Sequence, residues 1–133
     1  MTYWLIKTEP EEYSYEDLIR EGKAVWDGVR NPQAQRFLRQ MKVGDLLLVY
    51  HTGKERAVVG LAEVTQAAFP DPANPSYVVV EVAPLQKLPS PVSLASYKEA
   101  GFDFALTRQP RLSVMPVPEH IWEWTLQKGG LGK

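Results

Sequence analysis

Short apolar runs broken by polar residues, glycines and prolines predict an alternation of strands and short helices. The aromatic and β-branched residues 3–6 are typical of a first strand. Ser14 and, three residues later, Asp17 resemble a helix capping box, with aspartate in the place of the usual glutamate. This spacing predicts a short helix to Arg20, and Gly22 suits its C-terminal cap.

The next helix is the best-marked element of the chain. Asn31 is a favoured N-cap, Pro32 stands at the first helical position, and Gly44 is predicted to end the helix. Apolar residues then recur with helical spacing on one face, at Ala34, Phe37, Leu38 and Met41.

The rest of the pattern predicts a mixed set of elements. Further strands are predicted over residues 46–52, 57–65, 77–85 and 112–117. The proline-rich residues 69–75 and 89–92 predict a loop and a linker. Helices are predicted over residues 93–100 and 118–127. These elements indicate one α+β domain over residues 1–127 with a small, curled, mixed sheet, followed by a flexible tail over residues 128–133.

Composition excludes several classes of site. The chain has 133 residues, the size of one domain, and no cysteine, which excludes disulfides, cysteine nucleophiles and thiolate metal sites. Its two histidines lie far apart in sequence, so we expect no metal site and no cofactor. Without an apolar run of about 18 residues or a signal-peptide core, we expect a cytoplasmic protein, or a nuclear one in a eukaryote, with no membrane partner.

Charge is balanced overall but uneven along the chain. The net charge is −1, which argues against a general polyanion binder, yet residues 20–56 carry a net +4. This segment is either a patch that faces phosphates or a mixed solvated surface.

The segment WDGVRN, residues 26–31, carries the strongest chemical signal. Trp26 lies beside a glycine and just before a capped helix, so its indole either fills the core or lines a pocket. A flat indole next to the Asn31 amide and the Arg30 guanidinium suits a planar polar ligand such as a nucleobase. Stacking on an aromatic ring is worth about 1–3 kcal/mol per base.

Three other polar positions lie in or near predicted strands. Each also has a purely structural interpretation: Lys7 pairs with Glu9 or Glu81, His51 is satisfied in the core, and Ser113 is a satisfied core hydroxyl.

Several motifs in one order extend this picture over about 120 residues. They are YWLIKTEPEEYSYEDL, WDGVRNPQAQRFLRQMKVGD, VYHT, VVGLAEV, FPDP and RLSVMPV. With these motifs in this order, the chain resembles the EVE domain family. The resemblance implies a PUA-like fold, a small curled mixed β-barrel of about five to six strands flanked by short helices. It also implies a nucleic-acid reader that binds a modified base, particularly a C5-modified cytosine, in an aromatic pocket.

The resemblance assigns residues one by one. The implied base pocket contains Trp26, Asn31, Lys7, Thr8, Tyr50, His51 and Ser113. Trp26 is the stacking face, while Asn31, Thr8 and Ser113 are candidates for the base edge. Candidates for the nucleic-acid backbone are Arg30, Arg36 and Arg39. The chain departs from the family motifs by threonine for serine at Thr8 and Thr52, by methionine for glutamine at Met115, and at Gln35-Arg36, where an arginine commonly follows glutamine-alanine directly.

Two other hypotheses stay open at this point. Some ASCH-like relatives hydrolyse modified nucleosides with a lysine, a threonine and a glutamate, and Lys7, Thr8 and Glu9 stand together here, with Glu63 and Glu81 on predicted strands. The other alternative is a protein-interaction module with an occluded pocket. For the reader hypothesis we expect a DNA or RNA partner, with the base extruded or single-stranded, and a separate effector protein.

Overall fold

A mixed sheet of six strands with five short helices makes up residues 2–132, the part of the chain that the computed structural model describes. The strands are β1 (Tyr3–Thr8), β2 (Ala24–Trp26), β3 (Leu46–His51), β4 (Ala57–Asp71), β5 (Asn74–Ser93) and β6 (Val114–Pro116). The helices are α1 (Tyr15–Glu21), α2 (Pro32–Gln40), α3 (Leu94–Glu99), α4 (Ala105–Arg108) and α5 (Glu119–Lys128).

The order of strands across the sheet is β2-β5-β4-β3-β1-β6. β1 and β3 pair in parallel, and every other neighbouring pair is antiparallel. The predicted α+β, PUA-like fold class is confirmed. In the described residues the edge strands β2 and β6 do not pair with each other, so the sheet is not closed into the barrel that the resemblance implied.

The centre of the sheet forms the core. Trp4, Leu5 and Ile6 of β1 are buried in succession, and so are residues 47–49 of β3. Consecutive buried residues indicate strands covered on both faces, as is usual for a parallel pair. Lys7 and Thr8 continue β1 beyond these core residues and stay paired with Tyr50 and His51 of β3.

The predicted helix caps are confirmed. Ser14 and Asp17 form both hydrogen bonds of the capping box at α1, and Gly22 caps its C-terminus with φ of 81°. The Asn31 side chain caps α2, as predicted, but α2 ends at Gln40 rather than at Gly44, with Met41 as its C-cap.

The two proline-rich segments are not the predicted loop and linker. Residues 69–75 form the tip of the β4–β5 hairpin, where Asp71 pairs with Asn74 and its carboxylate accepts from the backbone N–H of Ala73 at 2.9 Å. Residues 88–91 lie in β5 as a bulge, because the register passes from Gly60–Lys87 to Val58–Val92. Proline lacks an N–H and is tolerated where a bulge interrupts the ladder.

The pattern missed two short elements and the packing of the C-terminal residues. β2 and α4 are too short for a visible periodicity. In the predicted flexible tail, the carbonyl of Gly129 accepts from Ser90 N–H at 3.0 Å, and Leu131 packs against the core. Lys133, the last residue of the predicted tail, lies outside the described residues. None of the helices in residues 2–132 is long and apolar enough to cross a membrane.

Candidate functional site

A cavity of about 560 Å³ opens where β1 ends beside β2. Its walls include Lys7, Thr8, Tyr13, Trp26 and Ser113. Its remaining lining residues are Glu21, Lys23, Ala24, Val25, Asp27, Gly28 and Val29. The volume lies within the range of about 300–1,000 Å³ that is typical of small-ligand sites.

Trp26 forms an aromatic wall of the cavity and belongs to the core as well. It lies on β2, opposite Val80 of β5, rather than on a loop, which Gly28 two residues later had suggested. Its side chain is only 8% exposed, so the two interpretations of its sequence context, core and pocket, both hold. Gly28, with φ of 78°, lets the chain turn directly after this wall.

Tyr13 is a second aromatic wall that the residue-by-residue assignment did not include. Its ring meets the Trp26 ring edge to face, with centroids 6.0 Å apart and an interplanar angle of 81°. The Tyr13 hydroxyl donates to Glu21 at 2.7 Å, and burial together with the Glu21 carboxylate raises its pKa. Tyr13 lies within the YWLIKTEPEEYSYEDL motif, and membership of that motif is the signal that could have found it.

Thr8 fixes this second wall. Its hydroxyl donates to the carbonyl oxygen of Tyr13 at 2.6 Å, which ties the end of β1 to the segment before α1. The Thr8 proton is therefore already engaged, and Thr8 acts first as the residue that positions Tyr13.

Lys7 lies between the cavity and a smaller hollow, and it borders both of them. Its ammonium group donates to the carbonyl of Pro110 at 3.0 Å and lies 5.5 Å from the centre of the Tyr50 ring. Burial lowers the pKa of Lys7. An ammonium group has three N–H donors, so donors remain for a ligand after the bond to Pro110.

Ser113 supplies a hydroxyl with no internal partner. Within residues 2–132 its side chain forms no hydrogen bond, although its backbone carbonyl accepts from Lys7 N–H at 2.9 Å. A hydroxyl on a cavity wall, free to donate and to accept, is suited to the polar edge of a ligand. The satisfied core hydroxyl, the structural alternative for Ser113, is not what the structure shows.

Three predicted pocket residues lie elsewhere. His51 is buried, accepts from Tyr15 N–H at its Nε2 atom (3.0 Å) and bonds Glu55 through Nδ1 (2.8 Å), so it is satisfied structurally. The Asn31 side-chain oxygen is occupied as the cap of α2, in an exposed position. Tyr50 is buried and borders a separate, smaller hollow on the other side of Lys7.

The three arginines predicted to face phosphates do not line the cavity. The Arg30 guanidinium lies over the Tyr77 ring, 4.4 Å from its centre, and 4.0 Å from the Asp71 carboxylate. Arg36 and Arg39 are exposed on α2.

The match to a known protein family decides the assignment of the chain. The EVE domain family model matches residues 2–128. The chain belongs to the EVE domain family. It is 30% identical to thymocyte nuclear protein 1 of Homo sapiens in an alignment covering 94% of this chain. Alignments with the mouse, human and rat proteins of that name cover 41%, 72% and 72% of their lengths.

Solved structures agree with this EVE assignment. Protein Atu2648 from Agrobacterium tumefaciens superposes with a TM-score of 0.95 at 34% identity, covering 100% of this chain and 96% of that one. Human THYN1, solved in complex with DNA containing 5-methylcytosine, superposes with a TM-score of 0.88 at 27% identity, covering 98% of each chain.

The glutamates considered with Lys7 and Thr8 for a hydrolase lie outside the cavity, although Glu21 is one of its lining residues. Among residues 2–132, the cavity walls include none of Glu9, Glu63 and Glu81. Glu9 accepts from the Thr52 hydroxyl at 3.3 Å and Glu81 from the Thr65 hydroxyl at 2.9 Å. In the cavity itself, the Thr8 hydroxyl donates to the Tyr13 carbonyl oxygen and the Glu21 carboxylate accepts from the Tyr13 hydroxyl.

Proposed function

We propose that this EVE domain is a nucleic-acid reader that binds a modified base, of the C5-modified cytosine class, in the cavity at Trp26. The observation that carries the proposal is the pair of perpendicular aromatic walls, Trp26 and Tyr13, beside the Ser113 hydroxyl, which has no hydrogen-bond partner within residues 2–132. The relative solved with DNA containing 5-methylcytosine supports the choice of ligand class.

The cavity offers complementary contacts to a cytosine ring. The two aromatic walls suit the face and the edge of a flat base, and stacking is worth about 1–3 kcal/mol. Ser113 can donate or accept at the polar edge of the base, where a donor amino group lies beside two acceptors. The Lys7 ammonium supplies a further donor for an acceptor atom of the base.

Contact of a base with both aromatic walls requires a base that has left the helical stack. Extruding a base from a duplex costs roughly a few kcal/mol of unstacking and unpairing free energy. This cost is lowest at single-stranded, mismatched or damaged sites. We therefore propose a preference for single-stranded or locally opened nucleic acid, DNA or RNA, with Arg36 and Arg39 as candidate backbone contacts. We propose no catalytic step.

Titration with nucleosides tests the proposal directly. We expect saturable calorimetric binding of 5-methyl-2′-deoxycytidine that exceeds binding of 2′-deoxycytidine by about fourfold, since burying one methyl group contributes about 0.8 kcal/mol. Mass spectrometry of the recovered ligand should find the nucleoside intact. Absence of saturable binding to either nucleoside would contradict the reader proposal, and release of free base would revive the hydrolase.

Ser113→Ala isolates the polar edge of the site. Loss of one hydrogen bond worth about 0.5–1.5 kcal/mol should weaken nucleoside binding about two- to tenfold, with little change in the unfolding free energy. The matched control is Ser76→Ala, at an exposed serine of β5 outside the cavity walls. Equal affinities of both variants would remove Ser113 from the proposed site.

A further inference from the structure

Two smaller hollows continue from the cavity along one side of the molecule. The second hollow, about 160 Å³, shares Lys7 with the cavity and is bordered by Tyr50, Arg56 and Leu94. The third hollow, about 320 Å³, shares Arg56 and Leu94 with the second and is bordered by Lys54 and Lys98. Because neighbouring hollows share these wall residues, they lie in a row, the path, from the proposed base site to the surface at the start of α3.

The charged residues that border the two smaller hollows are four cations, Lys7, Lys54, Arg56 and Lys98, and one carboxylate, Glu55. Lys54, Arg56 and Lys98 are exposed, and none of them forms a salt bridge within residues 2–132. Elsewhere in residues 2–132, five cations are paired with carboxylates and five are not; the paired ones are Arg20, Lys23, Arg30, Lys87 and Arg108, and the others are Arg36, Arg39, Lys42, Arg111 and Lys128. The path thus keeps positive charge available for a ligand.

The acidic residues near the path are held by other groups. The Glu55 carboxylate bonds His51 Nδ1 at 2.8 Å, and the Glu9 carboxylate accepts from the Thr52 hydroxyl at 3.3 Å. Because both are engaged, we expect them to compete little with an anionic ligand for the cations of the path.

Arg56 is set in place by an unusual backbone. Its φ of 45° is the single positive value at a non-glycine residue in the described part of the chain. Left-handed backbone costs energy for an arginine and persists only where the surroundings impose it. Here its carbonyl accepts from Leu94 N–H at 2.9 Å. Arg56 borders both the second and the third hollow.

We infer that Lys54, Arg56 and Lys98, together the basic groove, bind the phosphodiester backbone that flanks the base held in the cavity. This inference rests on the proposed function and adds the backbone path to it. The basic groove connects to the cavity through the shared hollows, whereas Arg30, Arg36 and Arg39 border neither the cavity nor the two hollows. Phosphodiesters of DNA and of RNA present the same anion to the groove.

The test compares two variants from which the same number of cations is removed. The groove variant is Lys54→Gln, Arg56→Gln and Lys98→Gln together; the control is Lys42→Gln, Arg108→Gln and Lys128→Gln, at exposed positions outside the groove. Each is titrated with fluorescent 12-mers of DNA and RNA carrying one central 5-methylcytosine, from low to high salt. We expect the groove variant to bind at least one of the 12-mers about tenfold more weakly at low salt. Its log–log salt slope should become shallower by about 0.7 for each phosphate that is no longer neutralised, or about 2 in all.

The two proposals fail in different ways. 5-Methyl-2′-deoxycytidine carries no phosphate, so the groove variant should bind it as the wild type does; if the wild type does not bind this nucleoside, the reader proposal fails. If the groove variant and the control bind both 12-mers with equal affinity and slope, or if wild type binds neither, the groove inference is overturned. It is also overturned if Arg36→Gln with Arg39→Gln accounts for the whole salt slope.

Discussion

Trp26→Ala should lower both the stability of the fold and its affinity for a modified nucleoside. Trp26 is 8% exposed and packs in the core, so its removal should cost about 3–5 kcal/mol of unfolding free energy, the usual cost for a core tryptophan. Loss of the stacking face should separately lower the binding free energy by about 1–3 kcal/mol, which corresponds to about 5- to 150-fold in affinity. Urea unfolding and calorimetry at low temperature measure the two effects.

Trp122→Ala provides the matched control for this experiment. Trp122 is 4% exposed, stacks on Tyr3 at 4.5 Å, and lies on α5 outside the cavity walls. It should lose a similar unfolding free energy, while its folded fraction binds the nucleoside with wild-type affinity. If folded Trp26→Ala protein also binds normally, Trp26 serves the core alone and the reader proposal loses its stacking face.

Local signals in the sequence were sufficient for the helix caps. Ser14, Asp17 and Asn31 cap their helices through atoms a few residues away, so the spacing alone contains the needed information. The predictions for the proline-rich segments were wrong because the information they needed is not local. Whether a proline ends a strand or lies in a bulge depends on the partner strand, and that register becomes visible only in the folded β4–β5 hairpin.

Part of the cavity lining was predictable from the sequence, because several of its residues stand in motifs. Lys7, Thr8, Trp26 and Ser113 were named from motifs and lie together around one cavity. His51 belongs to an equally distinctive motif, yet its ring is turned toward the backbone of Tyr15, a hydrogen bond across 36 residues that no local pattern encodes. A motif thus marks a residue as important to the fold or to the site. It does not show whether the side chain lines the cavity or is buried and stabilises the backbone.

The basic groove shows the same limit for charge. The net positive charge of residues 20–56 suggested a phosphate-facing patch, and the predicted contacts were the arginines near α2. In the folded chain the members of that segment lie apart. The Arg30 guanidinium lies over the Tyr77 ring, whereas Lys54 and Arg56 border the third hollow together with Lys98 of α3. Lys98 lies outside the segment in sequence, so the patch could not be assembled from a running charge count.

Asp45→Ala should be the most destabilising loss of a polar side chain in the described fold. Asp45 is 5% exposed, and its carboxylate accepts at 3.0 Å from both the Trp4 indole N–H and the Lys42 backbone N–H, with a longer bond of 3.4 Å to Thr2 N–H. Hydrogen bonds to a charged group are worth about 1.5–3 kcal/mol each, so losing two should cost about 3–5 kcal/mol of unfolding free energy.

Asp45→Asn separates the hydrogen bonds from side-chain volume. The amide keeps one acceptor, which can stay with the indole and Lys42 N–H groups, so the loss should fall to about 1–2 kcal/mol in urea unfolding. Asp103→Ala, at an exposed aspartate, should stay within about 0.5 kcal/mol of wild type. Nucleoside affinity of the folded Asp45 variants should not change, because Asp45 joins the starts of β1 and β3 while the cavity lies at the far end of β1. Equal stability of Asp45→Ala and Asp103→Ala would mean that the shared carboxylate does not hold this end of the sheet.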